Sequence, residues 1–457
     1  MSKILDQISN FFCQRKIYFF IFIVVVYNLN LREIGAGDTT PAKYLPVSII
    51  KEFNLNLDEF PLIYKSLINR DYAFIQYSKG HYYSSYPIMA GILALPIYFF
   101  SISLLGFTIN TMNIDILSKI SASFIAALSV LILFITLKRL TDEKIAFYIS
   151  LIYAFGTSTW SISSQSLWQH GPSELFLILA FYYMLRGLEK DKYVVYSTLF
   201  LSLSVATRLT NTLPVLIFFI YIIQKHRIQL LKIMIFPVVV GTLLFSYNLY
   251  FFNTLTGGNA KLWELTRTTT GVTEFWSFNF LEGFLGLLIS PSRGLLIYSP
   301  FFIFSFIGIL IIFKDKKLPN FQNGYLLFRY TVLSISSIIF LYSFYAVWWG
   351  GYTFGPRYLT DIVPLLCIFL IFIWDRIFKS KIITILFLYL VIFSIFVHFI
   401  GAFYYPSGSW NSSPKPVNFN RERLWDWKDS QILRCVKSGF TVPWLAKYSF
   451  WLIFDES

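Results

Sequence analysis

Apolar positions in this chain come in long runs, not in alternation with polar ones. Such runs cover approximately residues 17–34, 86–105, 120–136, 145–160, 174–185, 194–206, 213–223, 228–252, 295–313, 330–347, 359–374 and 382–403. A bilayer core about 30 Å thick is crossed by a helix of about 20 apolar residues, and several of these runs approach that length. Membrane β-barrels would instead show alternating segments of about ten residues. The pattern predicts an all-α polytopic membrane protein. Between the first two runs lie two stretches, Ala42–Phe53 and Glu59–Ile68, with apolar residues at helical spacing. These read as amphipathic helices lying in the membrane interface.

Basic residues between the runs set the orientation. Lys3, Arg15 and Lys16 precede the first run and place the N-terminus in the cytoplasm, so that the run acts as a signal anchor. Lys138–Lys144, Glu189–Lys192, Lys225–Arg227, Lys314–Lys317 and Arg376–Lys381 also read as cytoplasmic. Residues 37–85, 254–293 and 404–457 then form extracytoplasmic segments of one integral-membrane domain. The twelve runs do not alternate cleanly. Asp38 outside and Lys138 inside require an odd number of crossings between them, yet two runs lie there. The expectation is therefore about eleven crossings (eleven to thirteen), with 86–105 failing to cross fully. The tail segment Val442–Phe454 is either surface-lying or a further crossing.

Composition supports this picture. The chain has 457 residues, of which 56% are hydrophobic, 20% aromatic and 14% charged. Soluble domains carry about 25% charged residues. The net charge of +14 is explained by cytoplasmic loops, so nucleic acid is not an expected partner. Three scattered cysteines, Cys13, Cys367 and Cys435, do not make a disulfide framework.

Candidate chemistry gathers on the extracytoplasmic face. Asp38, in Gly-Asp-Thr-Thr-Pro-Ala-Lys-Tyr, follows the first run directly. It is placed either to take a proton from an acceptor hydroxyl or to cap the helix that begins near Pro41. Arg208, Arg293 and Arg357 lie on the same face, where guanidinium groups suit phosphate oxygens. Alternatively each snorkels or pairs locally; Asp361 is four residues after Arg357, within reach if a helix has begun. His170 and Gln169 lie in a hydrophilic break, Gln-Ser-Leu-Trp-Gln-His-Gly-Pro. His170 is a phosphate, metal or acceptor ligand, or a turn cap. Trp348, Trp349 and Tyr352, around two glycines, form either a sugar-stacking wall or an aromatic belt. Tyr44, His81, Tyr82 and Tyr86 complete the candidate pocket, and His398 reads as a packed residue within a span. Asn411-Ser-Ser matches a glycosylation acceptor pattern that arises easily by chance. No motif makes a metal site, and no cofactor follows; a divalent cation at the donor phosphate is left open.

An acidic residue after the first span, interfacial helices in the first outer loop and about a dozen spans together resemble the GT-C superfamily of membrane glycosyltransferases. The runs Leu167-Trp-Gln-His-Gly-Pro, Gly294-Leu-Leu-Ile-Tyr-Ser-Pro and Phe354-Gly-Pro-Arg-Tyr-Leu are similar to segments of its bacterial branch. That branch is related to protein O-mannosyltransferases and lipid A aminoarabinose transferases. The resemblance implies a polyprenyl-phosphate sugar donor, inverting transfer to a glycan, lipid or protein acceptor, and Asp38 as base. It implies work at the outer face of a bacterial inner membrane. Relatives often carry Asp-Glu where this chain has Asp38-Thr39, and the family's basic residue ahead of a Pro-rich helix start has no clean match. That departure moves the phosphate-binding role to Arg208, Arg293 and Arg357. Two rivals remain: a transporter or flippase of lipid-linked saccharide, and an O-antigen-type polymerase or ligase.

Overall fold

The structure, a computed structural model, describes residues 11–12, 15–61, 74–227, 230–314 and 324–440. The expected pieces over Glu59–Ile68 (in large part) and Val442–Phe454, and Cys13, lie outside the described residues. The fold is a helical membrane bundle. Among the described residues, four helices are long and apolar enough to cross a bilayer: α4 (Thr111–Leu137), α9 (Leu230–Phe252, apolar from Leu231), α13 (Tyr325–Ser343) and α15 (Lys381–Phe403). Shorter apolar helices accompany them: α1 (Lys16–Asn28), α3 (Met89–Phe99), α8 (Thr212–Lys225), α11 (Phe280–Ile289) and α12 (Phe302–Lys314). Between these lie α5 (Glu143–Phe155), α6 (His170–Gly187) and α7 (Lys192–Thr207).

Sheets of apolar side chains pack between the helices, while their outer faces stay bare. Phe19, Phe134, Phe147, Ile178, Phe181, Phe328, Leu366 and Phe369 belong to one large core. Leu243, Phe245, Leu249, Ile385, Tyr389 and Ile392 are exposed on α9 and α15. Apolar residues on the outside of a bundle are stable only against lipid, because water would penalise that area.

Three local departures from the sequence reading matter for the site. First, all-α is not complete. Residues 75–78 and 81–84 form an antiparallel hairpin, β1 and β2, with Ile75 opposite Ser84 and Tyr77 opposite Tyr82. Its two-residue turn, Lys79–Gly80, has positive φ at both positions, which matches the right-handed twist of the strands. Second, the run 86–105 becomes α3 followed by a π turn over Phe100–Leu104. Sixteen residues of helix reach only about 24 Å. Third, the run 359–374 is not one helix. It breaks into a 3-10 turn (Arg357–Ile362), α14 (Val363–Ile368) and a second 3-10 turn (Phe369–Phe372). Pro356 immediately precedes the first turn and Pro364 enters at the start of α14. A proline lacks the donor that would continue the ladder behind it, so the chain restarts instead.

The interfacial helix expected over Ala42–Phe53 is α2 (Thr40–Lys51). The hydroxyl of Tyr98 on α3 donates to the Lys43 carbonyl at 2.9 Å. α2 is thereby tied to the bundle, and the loop before it becomes a fixed platform.

Candidate active site

The platform begins at residues 33–39. Ile34 N–H donates to the Gln165 carbonyl at 3.0 Å, and the Trp168 indole N–H donates to the Ile34 carbonyl at 3.2 Å. Ser166 donates to Glu33. Lys43 reaches Asp115 at 2.6 Å and Glu33 at 4.0 Å. These contacts lock the 164–168 break against the end of the first span. They hold the 3-10 turn Gly37–Thr39, which carries Asp38.

Asp38 does not cap a helix. The N-cap of this turn is Ala36, whose N–H donates to the Thr39 hydroxyl at 3.2 Å, and the N-cap of α2 is Thr39. The Asp38 carboxylate is only 8% exposed. Oδ2 accepts a hydrogen bond from Arg357 Nη2. Oδ1 is buried without a hydrogen-bond partner among the described residues. A buried carboxylate oxygen left unpaired is costly, and such atoms in native folds need a reason.

Behind Arg357 stands a buried polar cluster drawn from four chain segments. Arg357 Nε donates to His170 Nε2 at 3.2 Å, and the guanidinium lies over the Trp168 indole, 4.5 Å from its centroid. His170 Nδ1 faces Asp361 Oδ1 at 3.0 Å, which assigns the imidazole proton to Nδ1. Arg208 Nη1 lies 2.8 Å from both ring nitrogens of His170, Nη2 donates to the Tyr342 hydroxyl at 2.6 Å, and Nε lies 3.1 Å from Asp361 Oδ2. Asp361 does not pair with Arg357. The intervening residues form a 3-10 turn, not an α-helix, so the i,i+4 geometry never arises. Two arginines and two aspartates thus balance in charge around a neutral imidazole.

A groove of about 220 Å³ opens beside this cluster. Met89 and Ile92 of α3, Leu203 and Ala206 of α7, and Leu243 and Leu244 of α9 supply its apolar walls. Its polar end is formed by Ser85, Tyr86 and Asn259, and the Ser85 hydroxyl is buried without a hydrogen-bond partner among the described residues. Leu209, the residue after Arg208, also lines the groove, which sets the groove next to the cluster. Gly258 seals this end: a Cβ there would come within 2.5 Å of the Ser85 backbone. A larger crevice, about 500 Å³, lies among Phe280, Phe284, Phe306 and Phe340, with no ionisable residue in its lining.

Arg293 is placed differently from the sequence expectation. It is 1% exposed and makes five hydrogen bonds to protein acceptors: the carbonyls of Ser292, Trp349 and Gly351, Gln431 Oε1 and Asn411 Oδ1. Burial pushes its pKa down, and no donor is left for a phosphate. It holds the C-terminal tail onto the bundle. Asn411, the residue of the glycosylation pattern, is buried in the same contact. Trp348 and Trp349 are buried with Trp410, Val417 and Leu424 and form no open wall. The glycines between them and Tyr352 have a backbone reason. Gly350 and Gly351 adopt positive φ, which turns the Gly350 and Gly351 carbonyls toward Arg357 (3.3 Å) and Arg293 (3.0 Å). Tyr352 is 42% exposed.

The remaining expected pocket residues scatter. Tyr44 packs on Phe60. His81 pairs with Asp58 on the exposed hairpin, and Tyr82 packs on Tyr77. Gln169 sits beside His170 with its Nε2 buried and without a hydrogen-bond partner among the described residues. His398 bonds Ser161 and Ser299, each at 2.8 Å, in keeping with a packed residue. Sequence reasoning passed over Trp168, Tyr342 and Tyr358. Tyr342 and Tyr358 stack at 4.3 Å and 2° next to Arg208. The only sequence signal for them was their nearness in the chain to His170 and Arg357. No group of three or more His, Cys, Asp or Glu that could hold a metal occurs among the described residues.

No protein-family model matches the chain. No curated protein matches it either. Among solved structures, it is similar to the crystal structure of ArnT from Cupriavidus metallidurans in the apo state, with 14% identity and a TM-score of 0.46. That likeness covers 79% of this chain and 59% of the ArnT chain, so this chain spans less than two thirds of its length.

Proposed function

We propose that this protein is a GT-C-type membrane glycosyltransferase. It moves a sugar from a polyprenyl-phosphate donor to an acceptor hydroxyl on the extracytoplasmic side, with inversion. The bundle crosses the membrane about eleven times and has its N-terminus in the cytoplasm. The observation that carries this reading is the Asp38 carboxylate. One oxygen is held by Arg357, the other is buried and free, and an apolar groove opens alongside.

In this mechanism the polyprenyl chain lies in the groove between α3, α7 and α9, with its phosphate near Tyr86. The acceptor hydroxyl approaches Asp38 Oδ1. The proton passes to Oδ1 as the acceptor oxygen forms its bond to the anomeric carbon. The bond from that carbon to the phosphate oxygen breaks, and its electron pair leaves with the polyprenyl phosphate. Charge thus builds on the phosphate as it departs. Arg357 and Arg208 stabilise it, and preorganised cations in a water-poor site are the largest source of such stabilisation. His170 holds both guanidiniums in register.

The test uses purified protein in proteoliposomes supplied with a panel of labelled undecaprenyl-phosphate hexoses and bacterial envelope acceptors. Asp38→Asn lowers transfer by about a hundredfold or more, the range expected for losing a general base. Unchanged transfer by a normally folded Asp38→Asn protein overturns the assignment.

A further inference from the structure

The two arginines of the cluster are not equivalent. Arg208 is paired with a carboxylate of its own: Nη1 is on His170, Nη2 on the Tyr342 hydroxyl, and Nε lies 3.1 Å from Asp361 Oδ2. Arg357 has one carboxylate partner among the described residues, and that partner is Asp38. Its other contacts are weak holds: a 3.2 Å bond to a neutral imidazole, a 3.3 Å bond to the Gly350 carbonyl, and the Trp168 face. These fix the plane of the guanidinium without neutralising it. The residue proposed as base and the cation proposed for the donor phosphate are therefore bound to each other in the unliganded protein. A phosphate that takes Arg357 Nη2 must therefore displace Asp38 Oδ2 from it, because one N–H cannot serve both anions at full strength.

We infer that Arg357 is shared between Asp38 and the donor phosphate, so that lipid-phosphate binding draws Arg357 off Asp38 and thereby frees the base. The inference rests on the lipid-phosphate reading above and adds an order to it. The donor binds first, and the acceptor hydroxyl meets an effective base only once the phosphate is seated. Without donor, Asp38 Oδ2 and Arg357 Nη2 stay bound to each other. The geometry suits such an exchange. Trp168 and Gly350 hold Arg357 in place while its Nη2 changes partners. Asp361 keeps Arg208 from following, so the second cation stays put for the leaving group.

The consequence is unusual for a catalytic carboxylate: it competes with the substrate. The experiment measures equilibrium binding of sugar-free undecaprenyl phosphate to detergent-purified full-length protein, with thermal unfolding and size exclusion to confirm folding. Asp38→Asn removes the competitor and binds the lipid phosphate about tenfold more tightly than wild type, roughly the worth of one charge-assisted hydrogen bond. Arg357→Gln weakens it by a similar factor, and the double variant resembles Arg357→Gln. Asp38→Ala, which lacks the amide of Asn, guards against a new contact and also binds more tightly. If Arg357→Gln weakens binding while both Asp38 variants bind as wild type or more weakly, sharing is wrong and the phosphate reading survives. If no arginine variant changes binding, or undecaprenyl phosphate does not bind, the phosphate reading fails and the inference falls with it. In a transfer assay, isotope trapping of prebound donor with excess acceptor succeeds; trapping of prebound acceptor overturns the order.

Discussion

Asp361 faces His170 across 3.0 Å and Arg208 across 3.1 Å, with its side chain wholly buried. It is the counter-charge that lets a second arginine sit inside the bundle. Removing one partner of a buried pair leaves the other charge uncompensated, which costs about 3–5 kcal/mol. Asp361→Asn is therefore expected to lower thermal stability in detergent by about 3 kcal/mol. Asp361→Glu recovers part of the loss because the charge remains. A variant as stable as wild type would show that Arg208 finds its balance elsewhere.

Trp168 holds Arg357 by its indole face, and a desolvated cation–π contact is worth about 1–2 kcal/mol. Trp168→Ala is expected to raise the donor KM about tenfold, with Trp168→Phe falling between it and wild type. Steady-state kinetics in proteoliposomes separates this from an effect on kcat, which the contact does not predict.

Arg293 belongs to the architecture. Five acceptors from four stretches of chain converge on it, and a lysine cannot match that fork. Both Arg293→Lys and Arg293→Gln should destabilise the protein by about 3 kcal/mol and expose the tail after Tyr404 to protease. Protein that does fold should bind undecaprenyl phosphate with wild-type affinity. A selective loss of that affinity would restore Arg293 to the donor site.

Leu244 lines the groove from α9. Leu244→Trp fills space there, and it should weaken long-chain undecaprenyl phosphate while sparing a short, water-soluble prenyl phosphate. Equal weakening of both would mean that the chain runs elsewhere. α9 itself is exposed over most of its length, so the added bulk has room to shift it without unfolding the core.

Much of this protein could be read from the chain alone. Runs of apolar residues specify helices in a membrane because lipid offers no partner for backbone groups, and each helix satisfies its own. The same logic put Asp38 at the end of the first run and an interfacial helix after it. These are local facts, set by residues close together in sequence. The hairpin at 75–84 was also local. Its period-two pattern around Lys79–Gly80 was there, but short and overshadowed by the aromatics.

Whether Asp38 caps a helix or faces a site was not a local question. A carboxylate after a span suits either role, and the choice depended on Arg357, 319 positions away. Likewise, three arginines on one face looked alike in sequence. Only the fold gave Arg208 to Asp361, Arg293 to the tail, and Arg357 to Asp38. A charge buried in a low-dielectric interior interacts strongly and is costly without a close partner, so its meaning is fixed by which partners the bundle brings together. The prolines at 356 and 364 made that possible, because a continuous helix would have let Arg357 pair with its own neighbour instead.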